Sequence, residues 1–269
     1  MSAAGGEIEF VEIPLGDRMV RIEHRWIASE RHARPLLVFL HEGLGSVAMW
    51  KGFPHLLCSR GGYRGLVYSR PGYGASTPRR QDEKWGVDFM HRQAHDVLPA
   101  LLSALEVADP PWLFGHSDGG SIALLYASRF ADETAGAVVV APHVMVEEFG
   151  LASIRSTREA YAAGILKVKL ARYHDDPDSA FRGWNDVWLH PPFQQWNIEN
   201  ELDAITCPLL AVQGIDDEYG TLEQIHSIAR RVPHARLLEL ADCGHSPHRD
   251  QPERLIAATV AFIGEQART

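Results

Sequence analysis

The chain has 269 residues, 45% of them hydrophobic and 9% aromatic, which is enough to bury one large core or two modest ones and excludes a disordered chain. Its formal net charge of −9 argues against any general affinity for nucleic acid or anionic membrane, and no basic run is long enough to reverse that. Cys58, Cys207 and Cys243 are an odd, widely spaced set without CxxC spacing, so neither a disulfide framework nor a thiolate zinc site is expected, and a reducing, cytoplasmic setting fits. The opening MSAAGGEIEF lacks a basic start followed by an apolar core. No apolar stretch approaches bilayer-spanning length, so secretion and membrane insertion are not expected.

In chain order, EIEFVEI (7–13) and MVRIEHRWI (19–27) alternate apolar and polar residues around the turn residues Leu15-Gly16-Asp17, predicting an antiparallel hairpin at a sheet edge. The pattern then changes. PLLVFLH (35–41), GLVYS (65–69), WLFGH (112–116), AVVVAP (137–142) and PLLAVQG (208–214) are short continuous apolar runs, as in parallel strands buried on both faces. Helical periodicity over 89–107 and 120–130 separates them. The alternation predicts right-handed βαβ crossovers and an α/β fold.

Residues 143–204 interrupt that alternation with helix-like stretches and no convincing strand. They read as a helical lid inserted into a core formed by 1–142 and 205–269. Trp184, Trp188 and Trp196 either line an apolar substrate cavity beneath this lid or fasten it to the body.

Chemistry is concentrated at Gly115-His116-Ser117-Asp118-Gly119, a G-x-S-x-G sequence between the run WLFGH and the helix that begins near Gly120. A tight strand-to-helix turn forces the central serine into a strained backbone conformation and lifts its hydroxyl, while small neighbours prevent collisions. The adjoining helix N-terminus stabilises developing negative charge. A serine hydroxyl becomes nucleophilic only when a base takes its proton, and that base needs an acid behind it. Candidates follow in the right places: Gly214-Ile215-Asp216-Asp217-Glu218 after the run PLLAVQG, and His245 in the loop of ADCGHSPHRDQPE after a further strand-like run.

These stretches, with LHEGLGS and SRPGYGAS nearer the N-terminus, resemble the α/β-hydrolase superfamily over nearly the whole chain. The resemblance implies a mostly parallel eight-stranded sheet flanked by helices, and a serine esterase. It assigns Ser117 as nucleophile, His245 as base and Asp217 as acid, with Asp216 as the alternative. Asp217 is preferred because the family's acid falls three residues after the glycine, here Gly214. The backbone N–H groups of Asp118 and Gly43 would form the oxyanion hole, with the N–H of Leu44 as the neighbouring alternative to that of Gly43.

No cofactor or metal is expected, and the partner implied is a small-molecule substrate, contacted by Asp118, Leu44, Trp184 and Trp188. One departure stands out. Where the family usually has His-Gly, this chain has His41-Glu42, and Glu42 is expected to turn away from the oxyanion and pair with Arg70. His41 is expected to brace its loop and His116 to pack in the elbow.

Asp118 has two readings: a cap for the helix it begins, or, as in relatives of the valacyclovir-hydrolase type with a Ser-Asp-Gly-Gly elbow, a contact for the amino group of an amino-acid ester. Thioester, enol-lactone and carbon–carbon bond hydrolysis could use the same three residues, and a binding protein with an idle site would share the pattern. His91 and His95 have i, i+4 spacing but no third ligand, so packing is expected of them. His248, Glu218 and Tyr219 lie near the site in sequence without an assigned role.

Overall fold

In the computed structural model, which describes residues 6–266, β1 (Glu9–Leu15) and β2 (Arg18–Ile27) form the expected edge hairpin. Leu15 pairs with Arg18, so Gly16 and Asp17 make a two-residue turn, and Gly16 takes a φ of 62° that suits glycine. The other strands are β3 (Leu36–Leu40), β4 (Arg64–Tyr68), β5 (Trp112–His116), β6 (Gly136–Val140), β7 (Leu209–Gly214) and β8 (Arg236–Leu240). The eight strands run in the order β1-β2-β4-β3-β5-β6-β7-β8, antiparallel at β1/β2 and β2/β4 and parallel elsewhere. The MSAAG of the N-terminal reading, and residues 267–269 of the expected core, lie outside the described residues.

Period-two alternation explains why the central strands are apolar throughout. Leu37 and Phe39 of β3 enter one core, with Leu57 of α1 (Phe53–Gly61) and Phe262 of the C-terminal helix, whereas Val38 and Leu40 enter the opposite core. That second core is covered by α2 (Phe89–Arg92), α3 (Leu98–Ala104) and α4 (Asp118–Arg129), through residues such as Met90, Leu101 and Ile122.

The sequence predicts one helix over 89–107, but a π-helical turn, Gln93–Val97, separates α2 from α3, and α3 ends at Ala104. Pro99 accounts for the break: it has no N–H for the carbonyl four residues back, and its ring crowds that turn.

Between β6 and β7 the chain forms α5 (Glu148–Ala162), α6 (Ile165–Leu170), α7 (Pro177–Trp188) and two short 3₁₀ turns. Asp176 caps α7 by accepting from the Ser179 amide at 2.9 Å. Three helices complete the fold: α8 (Glu223–Arg231), α9 (Pro247–Asp250) and α10 (Pro252–Gln266). Among the described residues no helix is long and apolar enough to cross a membrane. The strand order changes direction between β3 and β5, so the carboxyl ends of these two strands open a crevice, where α/β sheets assemble their sites.

Candidate active site

Ser117 stands at the carboxyl end of β5, one residue before α4, with φ 53° and ψ −121°. This is a strained conformation for a residue with a side chain, so its surroundings must impose it. They do so through backbone bonds: the Ser117 amide donates to the Val140 carbonyl at 2.9 Å, and its own carbonyl accepts from Gly120 at 2.8 Å and Ser121 at 3.1 Å. The flanking glycines are sterically required. A methyl at Gly115 would overlap the Gly119 carbonyl, and one at Gly119 would overlap the carbonyl oxygen of Leu40. Gly119→Ala is therefore expected to shift the elbow against β3 and cost about 1–3 kcal/mol, as overpacking does. Thermal denaturation checks this, and an unchanged melting temperature would count against so tight an elbow.

The loops after β7 and β8 bring the other two residues to the serine. His245 Nε2 lies 2.9 Å from Ser117 Oγ, while His245 Nδ1 lies 2.9 and 3.0 Å from the Asp217 carboxylate oxygens. With the carboxylate accepting from Nδ1–H, Nε2 offers its lone pair to the serine hydroxyl. Asp217 is itself anchored: Oδ1 accepts from the Tyr219 amide at 2.8 Å and Oδ2 from Gln213 Nε2 at 3.2 Å. Burial alone would raise its carboxyl, but His245, through its hydrogen bond and charge, and the Tyr219 amide hold it below the ordinary carboxylate value. Asp216, the alternative acid, is exposed, and it is Asp217 that meets His245.

A cavity of about 220 Å³ opens onto Ser117. Gly43, Leu44, Asp118, Trp184 and Trp188 all line it, together with Ile154 of α5. Gly43 sits so close to the Trp184 indole that a side chain there would overlap it. Asp118 is the first residue of α4, whose amide has no partner within the helix.

Two expectations need correction, and of the two readings of the tryptophans the cavity-lining one does not hold for Trp196. Trp196 is absent from the cavity wall and stacks on Phe193 at a centroid distance of 5.3 Å, within the same segment, and it is Phe193 that meets the body, its ring 5.7 Å from that of Phe89. Asp118 does not cap α4: its Oδ1 accepts the indole N–H of Trp188 at 3.1 Å, and its Oδ2 lies 3.9 Å from Arg70 Nη1. Glu42 does not pair its carboxylate with Arg70, because the guanidinium reaches the Glu42 carbonyl instead, at 2.8 Å, and the carboxylate faces His116 Nδ1 at 3.7 Å.

Burial raises the Asp118 carboxyl to about 6, against the opposing charge of Arg70 and the Trp188 bond. His41 braces its loop as expected, with Nδ1 bonded to the Glu42 carbonyl at 2.7 Å and Nε2 accepting from the Arg70 amide at 3.0 Å.

Sequence reasoning missed His143, which lines the cavity just past the end of β6, its ring 5.9 Å from His245 and 5.0 Å from Trp188. Burial, then the nearby His245 charge, pushes it down to about 3, so it is neutral at ordinary pH. The signal available was its position at the carboxyl end of a core strand. His116 does more than pack: its Nε2 bonds to the His245 carbonyl at 2.7 Å. Glu218 and Tyr219 both line the cavity. Glu218 accepts from the His245 amide at 3.1 Å, and the Tyr219 ring lies 4.7 Å from that of His245. His248 lies behind the site, its ring 4.8 Å from His116. His91 bonds to Glu201 at 2.8 Å and His95 packs on Phe130, so both are occupied by structure.

The chain is similar to known proteins across most of its length. It is 22% identical over 254 residues to 2-hydroxy-6-oxononadienedioate/2-hydroxy-6-oxononatrienedioate hydrolase of Comamonas testosteroni, covering 84% of this chain and 87% of the relative. It is 25% identical over 255 residues to the pimeloyl-acyl-carrier-protein methyl ester esterase of Aromatoleum aromaticum, covering 82% and 94% respectively. Among solved structures, a thermophilic esterase from Thermogutta terrifontis superposes with a TM-score of 0.74 at 18% identity, covering 97% of this chain and 99% of that one. Residues 37–258 match the model of the alpha/beta hydrolase family, and with this sheet order and elbow the chain belongs to that family.

Proposed function

We propose that this hydrolase cleaves a small-molecule carboxylic ester through an acyl-enzyme on Ser117. The continuous contact Ser117 Oγ, His245, Asp217 carries the reading. His245 takes the hydroxyl proton as Oγ attacks the carbonyl carbon, and Asp217 stabilises the resulting imidazolium. The amides of Asp118 and Gly43 receive the oxyanion. His245 then gives its proton to the departing alkoxide, and the alcohol leaves. Water, deprotonated by the same imidazole, attacks the acyl-enzyme and releases the acid. Ester and water become acid and alcohol, with the proton returned at each turn.

A cavity of about 220 Å³ favours a compact acyl group, and Trp184, Trp188 and Ile154 supply an apolar wall for it. We read the 143–204 insertion as the lid over this wall. The three cysteines are free and buried, which supports a reducing, cytoplasmic setting. The simple-ester reading is preferred to amino-acid esters because Asp118 already faces a buried guanidinium and an indole N–H. The decisive measurement is labelling with a fluorophosphonate probe. Wild type is expected to carry one adduct, located at Ser117 by peptide mass spectrometry, and Ser117→Ala none. No labelling of wild type would return the chain to a binding role.

A further inference from the structure

We infer that Glu42 and His116 are positioning residues for His245, tying the loop after β3 to the loop after β8 across the residue that precedes Ser117. The inference rests on the ester reading above, in which His245 is the base.

His116 Nε2 is 2.7 Å from the His245 carbonyl oxygen. A carbonyl only accepts, so this nitrogen carries a hydrogen and donates it. That leaves Nδ1 facing Glu42 Oε2 at 3.7 Å, in a pocket where Nδ1 is buried and has no hydrogen-bond partner among the described residues. The Glu42 carboxylate is thus the polar group that Nδ1 meets, and the ring lies between it and the His245 carbonyl. Burial would raise the Glu42 carboxyl, but the neighbouring His116 ring, with lesser help from His41 and His248, holds it well below the carboxylate range.

Each end of this brace is fixed. The Glu42 carbonyl accepts from Arg70 Nη2 at 2.8 Å and from the Gly45 amide at 3.0 Å, and any side chain at Gly45 would collide with the Glu42 carboxylate. At the other end the backbone of His245 is gripped twice, its amide by Glu218 and its carbonyl by His116. His116 is 1% exposed and packs against His248 and Trp50, so it has no freedom to swing away. The groups facing its ring are therefore Glu42, His245 and His248, with Trp50 behind. This accounts for the departure from His-Gly after β3. The acidic side chain lies on the oxyanion loop yet acts toward the base.

Four variants test it: His116→Phe, which keeps a ring without a donor, His116→Gln, which keeps a donor, Glu42→Gln, and the double variant Glu42→Gln/His116→Phe. With p-nitrophenyl acetate, His116→Phe is expected to lower kcat about ten- to a hundred-fold with little change in KM, the cost of a misplaced base. His116→Gln should recover most of that loss. Glu42→Gln should show a smaller fall in kcat, and in the His116→Phe background should add nothing, since the two act as one unit.

A second readout is independent of turnover. The downfield proton of the His245 Nδ1–H to Asp217 bond, followed by ¹H NMR, is expected to shift in His116→Phe and Glu42→Gln. Wild-type kcat in His116→Phe, losses confined to KM, or an unmoved resonance would each overturn the brace. If wild type resists fluorophosphonate the ester reading falls, and the NMR result still decides whether Glu42 and His116 hold His245.

Discussion

Asparagine in place of Asp217 is expected to lower kcat by about ten-thousand-fold while leaving the fold intact. The physical reason lies in the donors around that carboxylate. Oδ1 accepts the amide of Tyr219 at 2.8 Å, more closely than Oδ2 accepts from Gln213 at 3.2 Å, so an asparagine keeps its oxygen at Oδ1 and sets its NH₂ at the Oδ2 position, 3.0 Å from His245 Nδ1. Donation into Nδ1 moves the ring hydrogen to Nε2, which then presents N–H to Ser117 instead of a lone pair. The serine proton has nowhere to go. Steady-state rates with p-nitrophenyl acetate, beside circular dichroism for folding, check the outcome. Asp216→Asn is the control, because that residue is exposed and is expected to be near wild type. A loss under about tenfold in the Asp217 variant would remove it from the catalytic assignment.

The second large effect concerns stability. Arg70 is fully buried, donates to the Glu42 carbonyl at 2.8 Å, lies over the Tyr73 ring at 4.7 Å, and is the cation nearest Asp118. Arg70→Met keeps most of the volume but leaves Asp118 without its countercharge and that carbonyl with only His41 and the Gly45 amide, a change that costs about 3–5 kcal/mol for buried pairs. In a chain of this size that corresponds to a fall of roughly 10 °C in melting temperature.

The effect has a pH sign. Asp118 is raised to about 6 in the folded state, so below that it is largely neutral and needs little countercharge. As pH rises through about 6, its ionised form becomes a burden on folding, and without Arg70 that burden grows. The destabilisation should therefore be smaller at acidic than at alkaline pH. Differential scanning calorimetry across this range tests it, and an equal or smaller loss on the alkaline side would contradict the pairing.

What was legible in the sequence follows from how local each signal is. WLFGH, PLLVFLH and AVVVAP announce buried parallel strands because every side chain in them must be apolar, whichever face it meets. The elbow was readable because five consecutive residues make it. The acidic loop at 214–218 and His245 were found because loops at the carboxyl ends of strands converge, whereas the choice of Asp217 over Asp216 came from the resemblance to the family.

Glu42, Asp118 and His143 were different. Their neighbours are set by how loops cross and how the insertion lies on the sheet, and Trp188 reaches Asp118 from 70 positions away. Nothing local to either residue encodes that contact. The break before Pro99 was readable in principle from the missing N–H, yet apolar periodicity runs straight through it and masks the signal.

The strands that bracket the helical insertion, β6 and β7, are neighbours in the sheet. The excursion therefore leaves and returns across one strand spacing, about 4.8 Å, and the sheet sets almost no limit on its length. Closing a longer loop costs little, since the entropy grows only with the logarithm of its length. The fold thus holds Ser117, Asp217 and His245 on loops at strand ends and leaves Ile154, Trp184 and Trp188 of the cavity wall to a segment of unconstrained length. Those three wall residues can change without moving the strand ends that hold Ser117, His245 and Asp217 in contact.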